Sequence, residues 1–325
     1  MLRFWSVLMV VAAGAFLAGK AVGPRRPPPS SPSARERLIA DVLLAIQTQY
    51  VDSLSEVELT QLAVASIVAQ LRDPYSRLRG DVGAHAELTR GSATVSTNRT
   101  ADSTGVVALP VVRAGAAAAL RDAIAALERD GLNGLILDLR GNPGGFVHEA
   151  ARTADLFLDQ ETAIGWLRGR TARQSQRFVA RTRQQWPHLP LVVLVDGRTA
   201  SAAELIAGSL QEHDRAVIVG TPTFGKGVVQ TPIALGSGLV LELSTARWYT
   251  AVGRPLDRAA ADGGGRYYSD RGRQLPGGGG VVPDIIVTDG ADRAMEIALD
   301  LLRHSRTTED LLARVAALRQ PEPQP

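Results

Sequence analysis

The chain has no cysteine. That excludes disulfides, thiol nucleophiles, thiolate metal ligands and lipid attachment at a lipobox. Histidine is scarce as well: the five are His85, His148, His188, His213 and His304. No pair of them has metal-ligand spacing with a carboxylate, so the chemistry is sought without metal or other cofactor. No large excess of one charge exists either, since the net charge is +3 and no basic cluster forms a stripe. A nucleic-acid partner is therefore not expected. The arginines between Arg168 and Arg183 form a local basic patch that reads as solvated surface. Long apolar runs are confined to one, Phe4 to Gly19, which is short for a spanning helix and suits a secretory leader.

Lysine is the scarcest charged residue. Only Lys20 and Lys226 occur among 36 basic residues, and Lys20 lies in the apolar leader. Lys226 stands between two glycines in Thr223-Phe224-Gly225-Lys226-Gly227. Arginine cannot lose its proton in a protein, whereas a desolvated lysine can. A single lysine in an arginine-biased body therefore points to a base, although compositional bias alone would also leave one lysine behind.

A nucleophile for that base lies upstream. Pro190 to Asp196 is a continuous apolar run bounded by Pro and Asp-Gly, the pattern of a strand buried on both faces. Thr199 to Leu210 reads as a helix and Arg215 to Gly220 as the next strand, giving a βαβ unit with Ser201 in the helix's first turn. The helix carries the chain about 18 Å away, and the strand returns it by about 20 Å. Lys226 should then lie beside Ser201. Gln230 follows four residues later, and a bend at Gly227 would let it reach Lys226. Ser201-Ala202-Ala203-Glu204 also fits a helix capping box, so the serine has an ordinary structural role open to it. A third segment, Gly134 to Gly145, runs from a strand into a turn with Gly144 and Gly145 adjacent, where backbone N–H groups can face a ligand.

Leu-Ile-Leu-Asp-Leu-Arg-Gly-Asn-Pro-Gly-Gly, Thr-Ala-Ser-Ala-Ala-Glu and Thr-Phe-Gly-Lys-Gly-Val-Val-Gln together resemble the carboxyl-terminal processing proteases, the tail-specific Ser/Lys serine peptidases. The resemblance extends through Leu243 to Thr250, Val252 to Arg254 and Gly277 to Asp284. An earlier patch, Leu71-Arg72-Asp73-Pro74-Tyr75-Ser76, is similar to the family's N-terminal helical region. What it implies is an α/β fold with a crotonase-like spiral core, acting on protein or peptide substrates. Ser201 would be the nucleophile, Lys226 the general base and Gln230 the residue orienting it. The oxyanion hole would combine the N–H of Ala202 with one from the Gly144-Gly145 turn. His148, three residues past that turn, is a poorer partner for the serine, since it falls within a helix and the base role is already filled. The constellation needs neither metal nor cofactor.

One departure matters. The family places a PDZ domain after the Asp-Pro-Tyr-Ser region, yet only about 25 residues separate Arg79 from Gly105, too short and polar a stretch to bury a core. Substrate recognition would then rest on the core alone or on an adaptor. The expected organisation is a signal peptide or membrane anchor at 1–23, a Pro-rich tether at 24–33, an N-terminal helical region at 34–80 and a linker at 81–104. A protease core follows at 105–290, then helices at 291–319 and a disordered tail at 320–325. The leader implies an extracytoplasmic location, periplasmic or cell-surface. Two rival readings share the fold: a silent binding or scaffold protein, and an acyl-CoA enzyme.

Overall fold

A computed structural model describes residues 33–80, 93–235, 239–260 and 265–319. The expected leader, the tether up to residue 32, the first half of the linker and the C-terminal tail lie outside the described residues. The chain divides into two compact units, one ending at Ser66 and one beginning at Ile67.

The expected helical stretch from Ala34 is two helices, α1 (Ala34–Gln49) and α2 (Glu56–Ala69). Each starts at a capping box, Ser33 with Glu36 and Ser55 with Glu58. The second cap is what interrupts the run: Ser55 Oγ accepts the Glu58 N–H at 3.2 Å and Glu58 accepts the Ser55 N–H at 3.0 Å, so a new helix begins there.

The second unit is mixed α/β. Its main sheet contains β2 (Ser96–Arg99), β3 (Thr104–Ala108), β4 (Gly134–Asp138), β7 (Leu191–Val195), β8 (Val217–Gly220) and β13 (Ile285–Ile286) in the order β13-β8-β7-β4-β3-β2. Every pairing is parallel except β2 with β3. Helices α3 (Ala116–Arg129), α4 (Val147–Asp155) and α5 (Ala202–Glu212) belong to the crossovers between these strands. The apolar runs of β4 and β7 have a direct cause. Leu135, Leu137, Leu191, Val193 and Val195 enter one core with α3, α4 and α5. Ile136, Val192 and Leu194 point oppositely, into a second core with α6 (Ala291–Arg303) and α7 (Thr308–Arg319). Strand side chains alternate faces, so a strand covered on both sides has no polar register.

A second, antiparallel sheet is built on β10 (Val240–Thr250), which pairs with β1 (Arg77–Arg79), β5 (Ala163–Gly169) and β9 (Val228–Ala234), while β6 (Gln176–Val179) pairs with β5. The expected hairpin after Gly265 is present as β11 (Tyr267–Tyr268) and β12 (Gln274–Leu275).

The stretch expected as linker, 81–104, is not linker throughout: β2 lies within it and pairs in register with β3, from Ser96 opposite Ala108 to Arg99 opposite Gly105. All four β2 residues are exposed on the sheet edge. An edge strand facing water needs no apolar alternation, and Ser-Thr-Asn-Arg shows none.

Candidate active site

Strands β4, β7 and β8 are parallel, so their following loops gather at one end of the sheet. Hydrogen bonds knit those loops together. Thr199 Oγ1 donates to the Leu139 carbonyl at 2.9 Å, Ala200 N–H to the Asn142 carbonyl at 2.9 Å and Phe224 N–H to the Thr199 carbonyl at 3.0 Å.

Ser201 occupies the position before the first turn of α5 with φ +55° and ψ −118°. An ordinary helix-capping residue is extended there, whereas this backbone suits glycine and costs a serine about 1–3 kcal/mol. The capping-box role open to Ser201 in the sequence does not account for that strain. Gly144 presses against it: a Cβ at 144 would lie 2.7 Å from the Ala200 carbonyl oxygen and 2.9 Å from Ser201 Cβ. A Cβ at Gly145 would lie 2.1 Å from the Val112 carbonyl oxygen. Both positions have positive φ and admit only glycine.

The two glycines differ in their amides. Gly144 N–H donates to Asn142 Oδ1 at 2.8 Å. Among the described residues, the N–H groups of Gly145 and Ala202 donate to no protein acceptor. Ala202 is the first residue of α5, so its free amide sits at the positive end of the helix.

Glu204 is wholly buried and organises the site. Its carboxylate accepts the Ser201 N–H at 2.7 Å, the Gly225 N–H at 2.7 Å, the Lys226 N–H at 2.9 Å and the Thr223 hydroxyl at 2.5 Å. Burial pushes this carboxyl above its ordinary range, and the four donors pull it back toward the anion. Sequence reasoning placed Glu204 only within the capping box. Its contacts to a loop some twenty residues on leave no mark in a four-residue motif.

Lys226 is half-buried, and its Nζ donates to Gln230 Oε1 at 3.1 Å. The Nζ makes no ion pair and no other hydrogen bond among the described residues, including none to Ser201 Oγ. Burial lowers the ammonium below its ordinary value, the Arg77 charge adds to that effect, and Glu242 opposes it. The Tyr75 ring lies 5.5 Å from Nζ. Gln230 reaches on through its Nε2 to the Tyr75 carbonyl at 2.5 Å, which fixes the amide with its oxygen toward the lysine. Tyr75 is held in turn. Asp73 accepts the Tyr75 N–H at 3.0 Å and the Ser76 hydroxyl, and Ser76 Oγ accepts the Ser244 N–H at 3.0 Å. The sequence marks Asp-Pro-Tyr-Ser only as part of the expected N-terminal helical region and gives Tyr75 no role, because the contact joins residues 155 positions apart.

Of the expected site residues, Ser201, Ala202, Gly144 and Gly145 lie together at one sheet end; Lys226 joins them through its backbone bond to Glu204, and Gln230, in β9, through the Lys226 Nζ. His148 does not join them; it lies in α4 with its ring 5.5 Å from Phe178. Among the described residues no group of three or more His, Cys, Asp or Glu is placed to hold a metal ion. Likewise no helix among them is long and apolar enough to cross a membrane.

Residues 103–262 match the model of peptidase family S41. The chain is 38% identical over 170 residues to the carboxy-terminal-processing protease of Bartonella bacilliformis, covering 52% of this chain and 34% of that one. It is 40% identical over 134 residues to the carboxy-terminal processing protease CtpA of Bacillus subtilis, covering 41% and 28%. With the carboxyl-terminal-processing protease of Synechocystis it shares 31% over 221 residues, covering 65% and 46%. The chain thus spans less than half the length of these three relatives. Among solved structures, the photosystem II D1 C-terminal processing protease superposes with a TM-score of 0.55 at 19% identity, covering 79% of this chain and 94% of that one. A lipoprotein from Streptococcus agalactiae gives 0.53 at 16%, covering 84% and 90%. Both are likenesses of fold.

Proposed function

Because this chain belongs to the carboxyl-terminal processing protease family of S41 peptidases, we propose that it is an exported serine endopeptidase using Ser201 and Lys226 as a dyad. One observation carries the reading. Ser201 and the single lysine of the chain's body donate their backbone N–H groups to one buried carboxylate, and the lysine Nζ is half-buried with no ion pair among the described residues. Neutral Lys226 takes the proton of Ser201, whose Oγ attacks a peptide carbonyl. The negative oxygen so formed is received by the N–H groups of Ala202 and Gly145, the two amides left without acceptors. Gly144 contributes its shape, since its own amide is engaged by Asn142. The lysine ammonium then protonates the leaving amine, giving the acyl-enzyme. Water adds to the ester with Lys226 again accepting a proton, and Ser201 departs with that proton restored. Gln230 holds Nζ through its amide oxygen and so serves to orient the base. The crotonase-like spiral is part of this proposal, as is export directed by the apolar run at Phe4 to Gly19.

A second reading, an adaptor-dependent or catalytically silent binding protein on the same fold, is favoured by the short interval between Arg79 and Gly105. Cleavage of casein separates the two. The parent chain should cleave it while Ser201→Ala and Lys226→Ala, each with an unchanged melting profile, should not. Silence in the folded parent sinks the first reading. Residual cleavage in Ser201→Ala would remove Ser201 from the role of nucleophile.

A further inference from the structure

Strands β1 and β5 share one edge of β10. Residues 240–242 pair with β1 and with β9, and residues 246–247 pair with β5 and with β9, so β9 occupies one edge while β1 and β5 divide the other. Leu243, Ser244 and Thr245 lie in the gap between β1 and β5, and a cavity of about 550 Å³ opens over them. Tyr75 and Val228 form part of its wall, so the cavity adjoins the segment that holds Lys226 and its glutamine.

The cavity is basic. Arg72, Arg168, Arg170 and Arg247 line it, against Asp73 and Asp257. Both aspartates are already engaged, Asp73 by Tyr75 and Ser76 and Asp257 by Arg247 at 3.3 Å and by the Ala259 N–H at 3.1 Å. Arg72, Arg168 and Arg170 are exposed and form no ion pair among the described residues. Arg168 also stands directly opposite Arg247 across β5 and β10, with its guanidinium 4.8 Å from the centre of the Tyr249 ring. Like charges directly opposite in an antiparallel pair repel; Asp257 offsets the Arg247 side of this pair, and an anion beside Arg168 would offset the other. Guanidinium groups take carboxylates bidentately, which gives direction as well as charge. The patch that reads as plain solvated surface in the sequence therefore has two of its six arginines, Arg168 and Arg170, on the wall of this cavity.

We propose that this notch between β1 and β5 receives acidic side chains of the substrate and so selects peptide segments rich in Asp or Glu. The assignment rests on the peptidase reading and sharpens it to a substrate class.

The test uses full-length Ser201→Ala protein and fluorescent peptides acetylated and amidated at their ends, differing only in Glu-Glu against Gln-Gln. Anisotropy should show the Glu peptide binding about tenfold more tightly, with the margin shrinking as salt rises. Arg168→Gln/Arg170→Gln in the same background should abolish the margin while leaving the Gln peptide's affinity and the melting temperature unchanged. Equal affinities in Ser201→Ala, or a margin that survives the double substitution, overturns the proposal. A Gln peptide with a free carboxyl terminus that binds as tightly as the capped Glu peptide overturns it too, since the notch would then read a chain end. Casein left uncleaved by the parent, with the Glu margin intact, would sink the peptidase reading and leave the notch standing.

Discussion

Ser201 and Lys226 donate their backbone N–H groups to the same oxygen, Glu204 Oε2, at 2.7 and 2.9 Å. The helix start and the lysine loop are thus set against each other by one atom. A change at Glu204 should show in both fold and rate. Glu204→Gln turns one acceptor into a donor facing other donors, and should cost about 1–3 kcal/mol in urea unfolding. It should also lower kcat by at least about tenfold with KM little altered, because the misplacement is in the reacting groups. An unchanged kcat in a destabilised variant would reduce Glu204 to a helix cap.

Gln230→Glu tests the lysine's charge state. A carboxylate at the Gln230 position, now 3.1 Å from Nζ through its amide oxygen, favours the ammonium and raises the lysine's pKa. In the proposed mechanism the base must be neutral, so kcat/KM should rise with pH through that pKa. The substitution moves this rise to higher pH and lowers activity at neutral pH by about tenfold or more, with recovery in alkali. A loss independent of pH would mean the glutamine acts in some other way.

Arg77→Gln should move the profile in the same direction, more weakly. The Arg77 charge helps to lower the lysine's pKa, and its removal leaves Glu242, which favours the ammonium, paired with Arg79 alone. Both effects raise the pKa. The Arg77 side chain is 54% exposed, so the shift should shrink as salt screens it, and activity at neutral pH should fall less than about tenfold. A pH profile recorded at two salt concentrations decides the matter.

Gly144→Ala should damage catalysis more than stability. The added methyl meets the Ala200 carbonyl, the Ala202 nitrogen at 2.8 Å and Ser201 Cβ, all on the strained turn. Displacing the Ala202 amide should lower kcat on the order of 10²-fold. Unfolding curves and single-turnover rates measured together separate that from loss of the fold.

The legible and illegible parts of this molecule divide by sequence distance. β4 and β7 could be read because each residue from Leu135 to Leu137 and from Leu191 to Val195 enters one core or the other. Lys226 and Gln230 could be paired because they lie four residues apart in a segment with a glycine to bend it. The Glu204 bonds to Gly225 and Lys226, and the Gln230 bond to Tyr75, join segments that only the folded sheet brings together. β2 was missed for a different reason, since an exposed edge strand has only backbone pairing to declare it.

The Gln230 to Tyr75 bond has a bearing on where the proposed catalytic unit begins. Residues 103–262 contain the serine, the lysine, the glutamine and both free amides, yet the carbonyl that aligns the glutamine arrives from outside that span. A fragment trimmed to the family match would keep every group of the proposed site and lose the acceptor that holds its glutamine. For anyone dividing this protein into portable modules, the outer limit of the proposed catalytic unit is drawn by a single peptide oxygen contributed by a turn far upstream.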